Sequence, residues 1–295
     1  MSLSRNLLIC AIIAGGAAWW ITRPNPLSEA DLAGLTGDAA HGQEVFLASG
    51  CASCHMAPGV GVEAQLVLSG GQSFPSDFGT FVAPNISQDP EHGIGDWSLL
   101  DFANAVSRGV SPQGSHYYPA LPYAAYNKMK LQDIADLYAY MKTLPADPSP
   151  SAAHEISFPF NQRALLGGWK LLFDSQDWGL PGDLPPEAER GRYIVEAMAH
   201  CAECHTPRNA LGGLDRDLWL AGAPSADGRG KVPGITPAQL AWSEDEIVTY
   251  LTTGFTPDYD SVGGHMAHVV VNFGQLPESY AADVAAYLKA LPAVP

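Results

Sequence analysis

The sequence predicts an all-α protein: two tandem helical domains, related by internal duplication, behind an N-terminal transmembrane helix. Three observations carry that expectation. An uncharged apolar run lies near the start of the chain, a pattern of about 110 residues occurs twice, and each copy closes on helically spaced apolar residues.

The first element is the apolar run 7–21, preceded by Arg5, ending in Trp19 and Trp20, and followed by Arg23. Its 15 residues match the layout of a secretory signal peptide, while a spanning helix usually needs about 20 apolar residues. The two tryptophans resemble an interfacial belt, and a cut after Ala-Gly-Gly-Ala-Ala would leave them at the new terminus. Residues 1–24 are therefore read as an uncleaved signal anchor, with the body of the protein on the periplasmic side of a bacterial inner membrane.

The repeat comes next. "HGQEVFLASGCASCH" from His41 matches "RGRYIVEAMAHCAECH" from Arg190 with one inserted residue. "APNIS" (83–87) matches "VPGIT" (232–236), Trp97-Ser98 matches Trp242-Ser243, and "RGVSP" (108–112) matches "TGFTP" (253–257). "LYAYMKTLP" (137–145) matches "VAAYLKALP" (284–292) without a gap. Closing helices are read from Leu131, Ile134, Leu137, Met141 and Leu144, and from Tyr280, Val284, Tyr287, Leu288 and Leu291. Gly42 and Gly191, in the opening helices, leave room for a second helix to approach closely. The expected domains are 37–150 and 186–295, joined by a linker, 151–185, whose Phe158, Phe160, Leu165, Trp169 and Phe173 are too apolar for a free tether.

Composition narrows the partners. Of 295 residues, 46% are apolar and only 16% charged, with a net charge of −16. No basic stripe is available to neutralise phosphates, which excludes a nucleic-acid grip and suits basic protein partners.

Four of the five cysteines form two identical constellations, Cys51-x-x-Cys54-His55 and Cys201-x-x-Cys204-His205; Cys10 lies in the apolar run. C-x-x-C-H is the attachment pattern of c-type haem. Positions i and i+3 share a helix face, so both thiols can add to the vinyl groups of one porphyrin, and the next histidine reaches the iron. Zinc would need two further ligands, and no second cysteine pair accompanies either copy. Two covalently bound haem c groups are expected.

The far side of each iron is the open question. Methionine there favours electron transfer; a vacant position admits a small molecule. Of six methionines, Met1 is terminal, Met56 adjoins His55, and Met141 and Met198 fall on core stripes. Met129 and Met266 remain, one per copy. His265 and His268 rival Met266, and His116 rivals Met129. Counting from the shared Trp-Ser aligns Leu121, not Met129, with Met266, so the first haem is either Met129-ligated or five-coordinate. Pro58 and Pro207 are candidates to accept the N–H of the proximal histidines, and Arg108 and Arg208 to meet propionates.

With these residues in view, the chain resembles the cytochrome c subunits of membrane-bound alcohol, aldehyde and gluconate dehydrogenases and their dihaem relatives. The likeness covers roughly residues 37–295 and rests on "APNISQDPEHGIGDWS", "GVSPQGSHYYPALPYAAYNKM", "FPFNQRALLGGWKLLF" and "CAECHTPRNALGGLD". It implies two cytochrome c domains, and that Met129, in the "PYxxYxxM" stretch, ligates the first haem. The family's dehydrogenase subunits commonly carry three haems, where this chain has two motifs.

The expected function is electron transfer in a periplasmic respiratory chain, between a dehydrogenase subunit and a cytochrome or terminal oxidase. His55, Met129, His205 and Met266 are the expected iron ligands, and no catalytic residue is expected. The alternatives are a dihaem peroxidase with one open haem, thiosulfate oxidation, disfavoured because Cys10 is the only spare thiol, and an anchoring subunit of a dehydrogenase complex.

Overall fold

The computed structural model describes residues 2–61, 64–225 and 230–294. Helix α1, Ser2–Thr22, is long and apolar enough to cross a membrane. The first repeat runs through α2 (Ala39–Ser49), α3 (Cys51–His55), β1 (Ser73–Ser76), β2 (Gly79–Val82), α4 (Leu99–Ala103), α5 (Tyr123–Tyr126) and α6 (Leu131–Met141). Strand β3 (Glu155–Ile156) and helix α7 (Leu166–Phe173) follow. The second repeat comprises α8 (Pro186–Tyr193), α9 (Ala202–His205), β4 (Ala223–Pro224), β5 (Lys231–Val232), α10 (Glu244–Thr253), α11 (Met266–Phe273) and α12 (Glu278–Ala290).

The all-α expectation needs correction, because the fold is mostly helical with two small antiparallel sheets. β1 and β2 form a hairpin that β3 extends, and β4 pairs with β5. Strands this short, two to four residues, are stabilised by their partners rather than by any periodicity of their own.

In each repeat the opening helix lies across the closing one, α2 on α6 and α8 on α12. The crossings depend on the two glycines. A Cβ on Gly42 would sit 1.9 Å from the Asp136 carbonyl oxygen, and one on Gly191 would sit 1.9 Å from that of Asp283. Identical caps open the third helices. Ser98 and Ser243 each accept from the backbone N–H three residues on, while Asp101 and Glu246 return the bond. Side chains from both repeats meet in one apolar cluster that includes Phe46, Ile134, Val195 and Tyr287.

The inserted residue of the second copy has a structural counterpart. Where α2 runs unbroken to Ser49, α8 passes into a π-turn, Ile194–Met198. A π-turn absorbs one extra residue without unwinding the helix. The widened turn packs against α2 and α5 of the first repeat.

The segment between the repeats is bonded to both. Asn127 donates to Asp174 at 2.6 Å, and Gln176 donates to the Asn127 carbonyl at 2.8 Å. On the other side, the buried Glu196 accepts from Gly179 N–H at 2.6 Å, and Arg192 donates to the Leu180 and Gly182 carbonyls. Trp169 and Phe173 pack inward, but Phe158, Phe160 and Leu165 are exposed.

Candidate functional site

Each C-x-x-C-H motif begins as an opening helix ends. Gly50, at φ +63, caps α2 and turns the chain into α3. In the second copy His200 makes that turn with φ +43, an uncommon conformation for a residue with a Cβ. Each motif is then closed by a glycine, as Gly70 donates to the His55 carbonyl and Gly222 to the His205 carbonyl, both at 2.7 Å. Cβ atoms on these two glycines would run into the backbone at Ala83-Pro84 and at Gly234, so the glycine that bonds each motif histidine packs directly on the covering loop.

The imidazoles are oriented from the covering loops. His55 Nδ1 lies 2.9 Å from the Pro84 carbonyl, and His205 Nδ1 lies 2.7 Å from that of Pro233. A carbonyl only accepts, so Nδ1 carries the proton and Nε2 keeps its lone pair for a metal. Burial also pulls both rings below the ordinary histidine value, which favours the neutral form a ligand needs. The sequence expectation of Pro58 and Pro207 is thus corrected. The acceptors lie 29 and 28 residues on, inside the matched "APNIS" and "VPGIT" stretches, whose recurrence was the available signal.

Burial pushes the Cys51 thiol up to about 12, Cys54 to about 11 and Cys201 to about 12, and raises Cys204 as well. Surroundings that resist a thiolate suit thioether linkage to an apolar porphyrin better than zinc ligation. Among the described residues, neither motif gathers a third histidine, cysteine or carboxylate around its thiols. The donor set therefore fits haem c.

Of the candidate far-side ligands, Met129 is buried between α5 and α6. Met266 is half-buried at the start of α11, beyond the glycine-flanked loop. Met129, Met141 and Met198 all lie in the core cluster, and Leu121 and Met266 pack against it. His116 is committed elsewhere, since its Nε2 donates to the Thr22 carbonyl at 2.9 Å. His265 is exposed with its ring beside Phe74, and His268 is half-buried. Arg208 is taken up by Glu203 and the Gly212 carbonyl, whereas Arg108 keeps a buried Nε with no partner among the described residues.

Sequence reasoning missed how closely the two motifs meet. His200, just before Cys201, donates from Nε2 to the Ser49 carbonyl at 3.2 Å, two residues before Cys51. Tyr126 donates to the same carbonyl at 3.3 Å and sets its ring edge-on to His200 with centroids 5.5 Å apart. His200 is visible in "HCAECH", but nothing in the sequence says that it faces the other copy.

The Cytochrome c family profile matches residues 39–145. The chain is 54% identical over 293 residues, 99% of each chain, to a protein of Cereibacter sphaeroides named Diheme cytochrome c-type. It belongs to the dihaem c-type cytochromes. As such this cytochrome carries two covalently bound haem c groups. It is also 35% identical over 272 residues to the Fructose dehydrogenase cytochrome subunit of Gluconobacter japonicus, covering 86% of this chain and 52% of that one. Identity to the Alcohol dehydrogenase (quinone), cytochrome c subunit of Gluconobacter oxydans is again 35%, covering 86% of this chain and 55% of that one. The cytochrome thus spans about half the length of these dehydrogenase subunits.

Proposed function

We propose that this cytochrome is a membrane-anchored periplasmic relay that passes single electrons from a dehydrogenase to a second cytochrome or a terminal oxidase. On this reading residues 37–150 and 186–295 are its two cytochrome c domains, 151–185 a packed linker, and 1–24 an uncleaved anchor. Bound haem c supplies reversible one-electron chemistry. The chain's own residues hold and tune it. Cys51 and Cys54, and Cys201 and Cys204, would bear the porphyrins. His55 and His205 would present Nε2, held in register by the Pro84 and Pro233 carbonyls, and the thioethers of Met129 and Met266 would serve as the other protein ligands. Thioether ligation raises the potential and leaves no place for substrate.

The observation that carries the relay is the shared boundary of the two motifs, where His200 Nε2 meets the Ser49 carbonyl at 3.2 Å. Two attachment motifs whose flanking residues touch suit passage of an electron between them. The peroxidase alternative needs an open first centre. The burial of Met129 beside α5 supports the closed one.

The test is Met129→Ala and Met266→Ala in the haem-loaded protein. Each is expected to remove about half of the sulfur-to-iron absorption of the oxidised form, one ligand set of two. An unchanged band in both variants overturns the ligand assignment, and peroxide turnover by the unaltered protein overturns the carrier reading.

A further inference from the structure

The segment 157–173 has an unusual distribution of charge. In a chain of net charge −16 it carries no acid, and its two bases are both turned inward. Arg163 donates to the His116 carbonyl at 2.9 Å and stacks on Tyr118, while Lys170 donates to the Gly109 carbonyl at 2.9 Å and lies over Tyr123. The outer face of α7 and the turn leading into it is left apolar. Leu165 is 60% exposed, Leu171 58%, Leu172 67% and Phe158 78%. Leu165, Gly168, Leu171 and Leu172 follow helical spacing along one face, and Trp169 and Phe173 occupy the inner one. Phe160, in the turn before α7, is also exposed and meets Phe78 edge-on. An uncharged stripe of large side chains on an acidic protein marks an interaction surface.

The end of α1 identifies the occupant. A Cβ on Gly167 would lie 1.8 Å from the Thr22 carbonyl oxygen, so the last turn of α1 rests on the backbone of α7. His116 bonds the same carbonyl. The 21 residues of α1 rise by about 31 Å, close to the thickness of the bilayer hydrocarbon, about 30 Å. Thr22 then falls at the outer boundary, with Trp19 and Trp20 just within it and Arg23 stacked on Trp20 at 3.5 Å. A helix seated on Thr22 is held at the level of the headgroups. A basic protein partner would meet no acid on this face, whereas a bilayer needs none.

We infer that α7 and the turn before it form a second membrane contact, lying in the headgroup region with Phe158, Phe160, Leu165, Leu171 and Leu172 toward the acyl chains. The inference rests on α1 being retained as an anchor. It would hold the body of the cytochrome in one orientation on the bilayer, as a peg and a foot do together.

The experiment reconstitutes the haem-loaded full chain in phosphatidylcholine nanodiscs containing a lipid with a photoreactive diazirine near the top of its acyl chain. Crosslinked peptides are then identified by mass spectrometry. Crosslinks are expected in both 2–22 and 157–173. In a Leu165→Glu, Leu171→Glu, Leu172→Glu variant, those in 157–173 should be lost while those in 2–22 and the haem spectrum persist. Crosslinks confined to 2–22 in the unaltered protein overturn the second contact and leave the anchor standing. Crosslinks in neither segment overturn the anchor itself.

Discussion

Replacing Gly42 by alanine separates two effects of opposite sign. In an isolated helix the change is favourable by about 1 kcal/mol, because glycine loses more backbone entropy on folding. In this fold the added methyl would stand 1.9 Å from the Asp136 carbonyl oxygen, 2.5 Å from its carbon and 2.9 Å from Tyr140 Cβ. Restoring an ordinary contact of 3.4 Å requires α2 and α6 to part by about 1.5 Å. Because the obstacle is backbone, no rotamer change relieves it. Overpacking of this kind costs about 1–3 kcal/mol, with a backbone clash at the upper end. The net expectation is a loss of about 2 kcal/mol, or a thermal midpoint lower by about 3–4 °C for a chain of this size. Gly191→Ala should behave alike, since its contact with Asp283 is equally close. Gly168, also inside a helix but with nothing within 4 Å of its would-be Cβ, is the control, and Gly168→Ala should gain about 0.5–1 kcal/mol. The assay is far-UV circular dichroism melting of the haem-loaded protein in detergent. A Gly42→Ala variant as stable as Gly168→Ala would refute the claim that the crossing of α2 on α6 depends on Gly42.

Three further outcomes follow from the same geometry. His41 bonds Asp136 at 2.8 Å, where the second copy has Arg190 bonded to Asp283. The hydrogen bond to Asp136 raises His41 above its ordinary 6.5. Its contribution is therefore complete below about pH 6.5 and lost as pH rises through the higher folded value. Denaturant midpoints should fall over that range, and His41→Arg should flatten the fall; an unchanged slope would exclude this pair as its source. Asn85, buried, donates to the Asp147 and Ser149 carbonyls, both at 2.8 Å, and pins the loop that bears Pro84. Asn85→Ala should cost about 1–3 kcal/mol by calorimetry, and a wild-type melting curve would show that the loop is held elsewhere. His200→Ala removes the bond to Ser49 and the ring contact with Tyr126. Electron exchange between the two haems after pulsed reduction should slow with both spectra intact, and an unaltered rate would place the route elsewhere.

The chemistry of attachment was legible because it is local. Two cysteines three positions apart with a histidine next to the second define their function by covalent spacing alone, and helical periodicity of 3.6 marked the helices around them. The duplication was legible for the same reason, down to the single inserted residue. That the insertion becomes a π-turn, Ile194–Met198, facing the other repeat was not legible, because a helix can absorb an extra residue in several ways and packing selects one. The strand pairs were missed because two to four residues have too little periodicity to register.

By itself, the sequence determined what the molecule is loaded with: two C-x-x-C-H motifs for two haem c groups, an apolar N-terminal run and an acidic body. Tertiary structure decided where each imidazole proton goes, since the Pro84 and Pro233 carbonyls arrive from loops closed about 28 residues away along the chain. It also decided that Arg163 and Lys170 turn inward and leave α7 bare, and that His200 reaches across to Ser49. Covalent spacing and periodicity act over a few residues and are written in order along the chain. Hydrogen-bond partners and exposed faces depend on which distant segments the core brings together.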